Sequence, residues 1–203
     1  QIMSDSPTQI KNLWALWMKI YEVENWVEDN YGFRPNIFDD ITGLSKKSFS
    51  GINDPQIFEQ QNFWPEGNTD LTESTQWPEK LLTINGAEPD GEVSRYTNKI
   101  KYLLNVEYEG DQYKIETGNR ASNTRSGVHM HESGGVTWIL DGGDMTIYVE
   151  DLKPTTFEEE ERFYMPSNVP MSAANLSDED SVQMNIFVAP IGQDLATSLD
   201  PNF

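Results

Sequence analysis

The chain contains no cysteine and only two histidines among its 203 residues. Without cysteine there is no disulfide, no thiolate nucleophile and no thiolate metal ligand. Positive charge is also scarce: 14 lysines and arginines stand against 34 aspartates and glutamates, a net charge of −20. Phosphate binding needs clustered cations, so neither nucleic acid nor an anionic membrane surface is an expected partner. No apolar run approaches the roughly 20 residues that span a bilayer, and no signal-peptide pattern is visible. The chain begins at Gln1, which is compatible with a removed leader or a trimmed end. Cytoplasmic and periplasmic or secreted locations therefore both stay open. Hydrophobic residues make up 36% of the chain, enough for a packed core and too many for global disorder.

What is present divides into three stretches. Ser6-Pro7-Thr8-Gln9 has the chemistry of a helix start, with Ser6 as N-cap, Pro7 at the first helical position and Gln9 completing a capping box. Ile10, Leu13, Trp14, Trp17, Ile20, Tyr21 and Val27 then recur at the helical period to about Asn30. With Trp26 added, this helix is expected to pack on the outside of the core. Its apolar load also allows a homodimer. Residues 32–97 show little periodicity and carry the turn signals Phe33-Arg34-Pro35, Asn53-Asp54-Pro55, Trp64-Pro65-Glu66-Gly67 and Glu88-Pro89-Asp90-Gly91. Their aromatics, among them Phe38, Phe58, Phe63, Trp64 and Trp77, suggest a segment docked onto the rest.

From Lys99 the period becomes two. Ile100, Tyr102, Leu104, Val106 and Tyr108 alternate, residues 109–111 turn, and Tyr113 and Ile115 alternate again, a hairpin. Further strands read at 128–131, 136–140, 145–150, 162–165, 171–176 and 182–189, with Asp141-Gly142-Gly143-Asp144 as a tight hairpin turn. Short strands punctuated by Gly and Pro predict an all-β sandwich or barrel. Residues 1–98 are then a helix plus an irregular wrap, and residues 99–203 the barrel.

Both histidines lie in the tripeptide His129-Met130-His131. On a strand the i, i+2 spacing turns both imidazoles to one face, which is the start of a metal chelate. Residues 119–190 resemble the cupin superfamily. Its first motif has His-x-His, a Glu four residues later and a Gly seven beyond; here His129, His131 and Gly142 match, and Gly135 stands at the Glu position. Its second motif, Pro-x-Gly-x-x-His-x-x-x-Asn, meets Pro166 and Asn175, with Asn168 for the Gly and Met171 for the His. The resemblance implies a mostly β, cupin-type jelly-roll barrel with an N-terminal helical and irregular extension. It also implies one transition-metal ion (copper, iron, manganese, nickel or zinc) on His129 and His131, with Met171 where the third ligand would project. A thioether is soft, so ligation by Met171 would favour copper. Glu132, as the neighbour of His131, is expected to point away.

Arg125 shares a face with the two histidines if the strand is regular, and an inward Arg would take a substrate carboxylate bidentately. Thr137, Tyr148, Tyr164 and Gln183 are candidates for the pocket wall; of Thr137 and Trp138 only one can face in. Asn175 is expected to orient a ligand or to cap a turn. The resemblance implies a metal-binding protein with a small-molecule partner. Oxygenase, isomerase and lyase activities occur in the family, and a carboxylate-bearing substrate suits Arg125. The competing reading is a metal-free small-molecule binding module, so the sequence leaves enzyme or non-enzyme open. There is no Gly-Lys phosphate loop, no helical two-His zinc motif and no Gly-x-Ser-x-Gly elbow.

Overall fold

The computed structural model describes residues 6–45 and 77–203. The turn signals at 53–55 and 64–67, and Phe58, Phe63 and Trp64, lie outside the described residues. Strand β1 (Thr8–Gln9) and helices α1 (Leu13–Tyr31) and α2 (Ile37–Ser45) come first. Then follow β2 (Glu92–Val93), β3 (Thr97–Tyr108), β4 (Asp111–Arg120), β5 (Thr124–Arg125) and β6 (His129–Met130). The remaining strands are β7 (Gly135–Gly142), β8 (Met145–Val149), β9 (Thr155–Phe157), β10 (Arg162–Met165), β11 (Met171–Asn175), β12 (Ser181–Pro190) and β13 (Thr197–Ser198).

One sheet runs β1-β3-β4-β12-β7-β10 and the other β13-β6-β11-β5-β2, with β8 on β11 and β9 on β8. The chain crosses from sheet to sheet as it goes: β7 lies in the first, β8 and β9 in the second, β10 in the first again, β11 in the second. Two facing, mainly antiparallel sheets joined this way make a jelly roll. Residues ahead of position 99 are not merely a wrap, because β1 joins one sheet and β2 the other.

The β3–β4 hairpin turns at Glu109 and Gly110, both at positive φ (47° and 84°), the backbone of a two-residue turn. Asp141-Gly142-Gly143-Asp144, in contrast, is not a hairpin, since β7 and β8 belong to different sheets. It is a corner pressed against the β11–β12 connection. A Cβ on Gly142 would sit 2.0 Å from the Asp180 carbonyl oxygen, and one on Gly143 2.0 Å from Ser177 Oγ. Close approach at both positions, together with the positive φ of 88° at Gly142, is what those glycines allow.

The helix start also differs from the sequence reading. Thr8 and Gln9 pair in parallel with Val106 and Glu107, and the N-cap is Asn12, whose Oδ1 accepts the Ala15 N–H at 2.9 Å. An unpaired edge of β3 offers backbone partners that a capping box at Ser6 does not. The buried stripe of α1 is aliphatic: Leu16, Ile20, Val23 and Val27, at i, i+4, i+7 and i+11. Trp14 (67% exposed), Met18 and Tyr21 face outward.

The first sheet is buried on both faces. Tyr113, Ile115, Val136, Trp138, Leu140, Met184, Ile186 and Val188 share one core cluster with the aliphatic residues of α1 and α2. Alternation sends Glu116, Arg120, Thr137, Asn185 and Phe187 to the opposite face, toward the second sheet. A second cluster, including Ile139, Ile147, Val149, Phe163 and Met171, fills part of the space between the sheets.

A polar tie crosses the helix–sheet interface. Asp40 of α2 is wholly buried, accepts the Trp138 indole N–H at 2.6 Å and pairs with Arg162. Burial pushes its carboxyl up to about 7, against the lowering pull of Arg162. A folded-state value above the unfolded one, about 3.9, means that folding favours the protonated acid. Its contribution is full below about pH 4 and is lost as pH rises through about 7. Urea unfolding across this range is expected to show wild type losing stability relative to Asp40→Asn as pH rises; a relative stability that does not change with pH would contradict it.

Candidate metal centre and ligand cavity

Short, interrupted strands position the histidines. His129 pairs with Met171 on one side and Ser198 on the other. His131 lies just past the end of β6, where its carbonyl accepts from Gly134 N–H at 3.1 Å and Asn168 N–H at 2.9 Å. Upstream, residues 126–128 break the ladder between β5 and β6, and Val128 packs with Ile84 and Leu199. Gly127 leaves room for Phe203, whose Cβ would be 2.4 Å from any Cβ placed there.

Both imidazoles are buried and meet edge to face, their Nε2 atoms 3.0 Å apart. His129 Nδ1 lies 2.8 Å from the Gly127 carbonyl oxygen, and His131 Nδ1 lies 2.9 Å from that of Leu195. A carbonyl only accepts, so each Nδ1 must carry its proton. Two neutral rings hold two N–H groups, and both are then committed. Each Nε2 presents a lone pair, and the lone pairs face each other.

A third proton would settle the contact only by making a buried imidazolium. Burial opposes this: it pushes His131 down to about 3, helped by proximity to His129, and it lowers His129, with Arg120 adding to the effect. A bound cation is the other solution. Two nitrogens 3.0 Å apart fit within the ligand sphere of one ion, each nitrogen about 2.0–2.1 Å from it. The Nδ1–H···O=C bonds fix the tautomer and aim, as outer partners of metal-bound histidines do. Among the described residues no third His, Cys, Asp or Glu completes the group. Met171, directly across the ladder from His129, is wholly buried and lines the same cavity.

That cavity measures about 700 Å³ and lies between the sheets. Its polar wall is a connected strip. Thr137 Oγ1 donates to Asn185 Oδ1 at 2.6 Å, Asn185 Nδ2 reaches Tyr96 Oη and Glu116 at 3.3 Å each, and Tyr96 Oη donates to Gln183 Oε1 at 2.7 Å. Burial pushes the Tyr96 phenol up. Gly118 lets Tyr96 lie flat on β4, since a Cβ there would meet the ring at 2.7 Å.

Of the candidates read from sequence, His129, His131, Met171 and Thr137 line this cavity together. Gln183 stands behind it, holding Tyr96. Arg125 does not line it: the break at residues 126–128 ends the alternation that put it on the histidines' face. Its guanidinium instead bonds Gly91 O, Ser126 O and Glu88. Tyr148 turns to Asp90 and packs near Ile84. Tyr164 lies against the helix-side cluster, because Phe163 and Met165 take the inward positions of β10. Asn175 holds a turn, donating to Arg120 O and Glu179 O and accepting from Ser177 N–H. Glu132 bonds Thr197. Sequence reasoning missed Tyr96, Glu116, Arg120 and Asn185. The alternation of β4 and β12 carried the signal for the last three.

No family model matches the chain, and no curated protein matches it. Solved structures do. The chain is similar to the DMSP lyase DddQ from Ruegeria pomeroyi, at 13% identity and a TM-score of 0.38, over 42% of this chain and 42% of that one. It is similar to a cupin-like protein from Thermotoga maritima, at 15% identity and a TM-score of 0.42, over 55% of this chain and 86% of that one. An oxalate decarboxylase from Lactobacillus farciminis, in complex with formate, matches at 14% identity and a TM-score of 0.38, over 47% of this chain and 33% of that one. The matched region thus spans under half the length of the two enzymes. The jelly roll itself is read from the strand pairing.

At Gly135 the space a side chain would need is taken. A Cβ there would meet Met165 Cε at 2.8 Å and the Phe187 ring at 2.9 Å. The ring of Phe187 also lies 5.3 Å from that of His131. Gly135→Ala is therefore expected to destabilise by about 1–3 kcal/mol through overpacking, read as a lower urea midpoint. An unchanged midpoint would show the space to be open.

Proposed function

We propose that this chain is a cupin-like metal-binding protein in which His129 and His131 hold one transition-metal ion through Nε2, with Met171 as the third protein donor. The observation that carries it is the pair of Nε2 atoms facing each other at 3.0 Å, each ring having its other nitrogen against a backbone carbonyl, which puts the proton on Nδ1 and the lone pair on Nε2. Two imidazoles and a thioether favour copper over a hard ion. A bound ion would supply Lewis acidity or an oxygen-binding centre to a small molecule in the cavity, serving an oxygenase, isomerase or lyase. The chain's own contribution is orientation and dryness. Gly127 O and Leu195 O hold the rings, and Phe187 and Phe203 pack beside them.

Elemental analysis of untagged protein, followed by titration of the chelator-treated protein with copper, iron, manganese, nickel and zinc, tests this. One ion per chain is expected. Loss of an outer partner typically weakens metal binding 10–100-fold, so His129→Ala and His131→Ala should each weaken it more than about 100-fold while circular dichroism stays unchanged. Wild-type protein that binds no metal would favour the metal-free binding module. For assembly, we infer a homodimer through the outward Trp14, Met18 and Tyr21 of α1. Sedimentation equilibrium should then give twice the chain mass, and Trp14→Glu should reduce it to one chain; a wild-type monomer would refute the dimer.

A further inference from the structure

Two arginines are buried to a similar degree, and only one has its charge answered. Arg125, 1% exposed, donates from Nε to Gly91 O at 3.2 Å, from Nη1 to Ser126 O at 3.2 Å, and from Nη2 to Glu88 at 3.4 Å. All three of its nitrogens are engaged, one of them with a carboxylate. Arg120, 3% exposed, donates from Nη1 to Ser94 O at 2.6 Å and lies 4.6 Å from the Tyr96 ring centre. Its Nε is buried without a hydrogen-bond partner, and among the described residues no carboxylate pairs with it. A buried cation without an anion is strongly unfavourable in a folded protein, so such a group implies a counter-charge that arrives from elsewhere.

Arg120 lines the same cavity as the histidines. The charge around it runs against the composition of the chain. Arg95, Lys99 and Arg120, three of only 14 cations, line the cavity with Glu116 alone of 34 acids, among the described residues. Lys99 already pairs with that carboxylate at 3.1 Å. Arg95 and Lys99 are exposed and form the solvent side of the wall; Arg120 is the buried one. In a chain of net charge −20, this is a local positive field able to draw an anion inward. Beside the polar strip and the histidines, part of the lining is apolar: Phe163, Met165, Phe187 and Phe203. An apolar wall with one buried guanidinium suits an anion with an organic body, and the planar fork suits a carboxylate.

We propose that the cavity binds an organic carboxylate, with Arg120 as the buried group that receives the carboxylate head and the phenylalanine wall receiving its body. This deepens the reading of the cavity as a small-molecule site, but it does not require the metal. The test uses the full chain after chelator treatment, titrated calorimetrically with butyrate and benzoate, with their neutral amides butyramide and benzamide, and with inorganic phosphate. At least one acid should bind saturably and at least about tenfold more tightly than its amide. Arg120→Gln should weaken the acid roughly 10- to 100-fold and leave the amide unchanged. Arg120→Lys, which keeps the charge and loses the fork, should fall between, and it carries the test if the glutamine variant does not fold.

The proposal is overturned if no acid outbinds its amide, if both Arg120 variants bind acid as wild type does, or if phosphate binds as tightly as the acids. The metal reading is scored separately by titrating the Arg120 variants with the ion bound by wild type. Retained metal affinity with lost acid preference supports the assignment of Arg120. Acid preference in a chain that binds no metal supports it too, and removes the metal centre alone.

Discussion

Inside the barrel two imidazole Nε2 atoms face each other across 3.0 Å, while the other nitrogen of each ring lies against a backbone carbonyl that can only accept. The rest of the site follows from that contact. Each ring is locked because its other nitrogen must satisfy a buried backbone carbonyl, Gly127 on one side and Leu195 on the other. Those carbonyls are where they are because the strand breaks at 126–128 and because the segment leading into β13 runs alongside β6. Low polarity around the rings, from Phe187, Phe203 and Met171, removes protonation as a remedy. A cation between the nitrogens, as proposed, would answer both lone pairs at once.

The first sheet allows such a cavity because its two faces do different work. One face carries the aliphatic core that α1 and α2 cover, tied across by Asp40, Trp138 and Arg162. With that face supplying much of the apolar burial, the opposite face is free to hold Thr137, Asn185, Glu116 and Arg120 in a polar strip. Polar groups in such a position persist only when they bond one another or a ligand. The strip satisfies that rule at every member except the Arg120 Nε and Gln183 Nε2.

Much of this could be read from residue order, and what could not has physical reasons. Period-two alternation located the β3–β4 hairpin, and short runs punctuated by Gly and Pro located β10, β11 and β12 closely. The histidine pair stood out through rarity and spacing. Arg125 was placed on the histidines' face by assuming an unbroken strand, and the non-strand bend at Ser126-Gly127-Val128 reverses that assignment. Gly142 and Gly143 looked like a hairpin turn because a glycine pair cannot say whether it serves a turn or a close contact. Ser6 lost the helix start to Asn12 because the edge of β3 is a long-range partner, invisible to local propensity. Tyr96, in the connection between β2 and β3, enters the cavity because Gly118 of β4 makes room for its ring.

The most direct test of the central contact is long-range proton–nitrogen NMR of the imidazole side chains in the metal-free protein near neutral pH. Both histidines should show the Nδ1–H tautomer with an unprotonated Nε2. Adding the ion should perturb both Nε2 signals together and leave the Nδ1–H groups in place. A proton on either Nε2, giving an ordinary hydrogen bond between the two rings, would contradict the account.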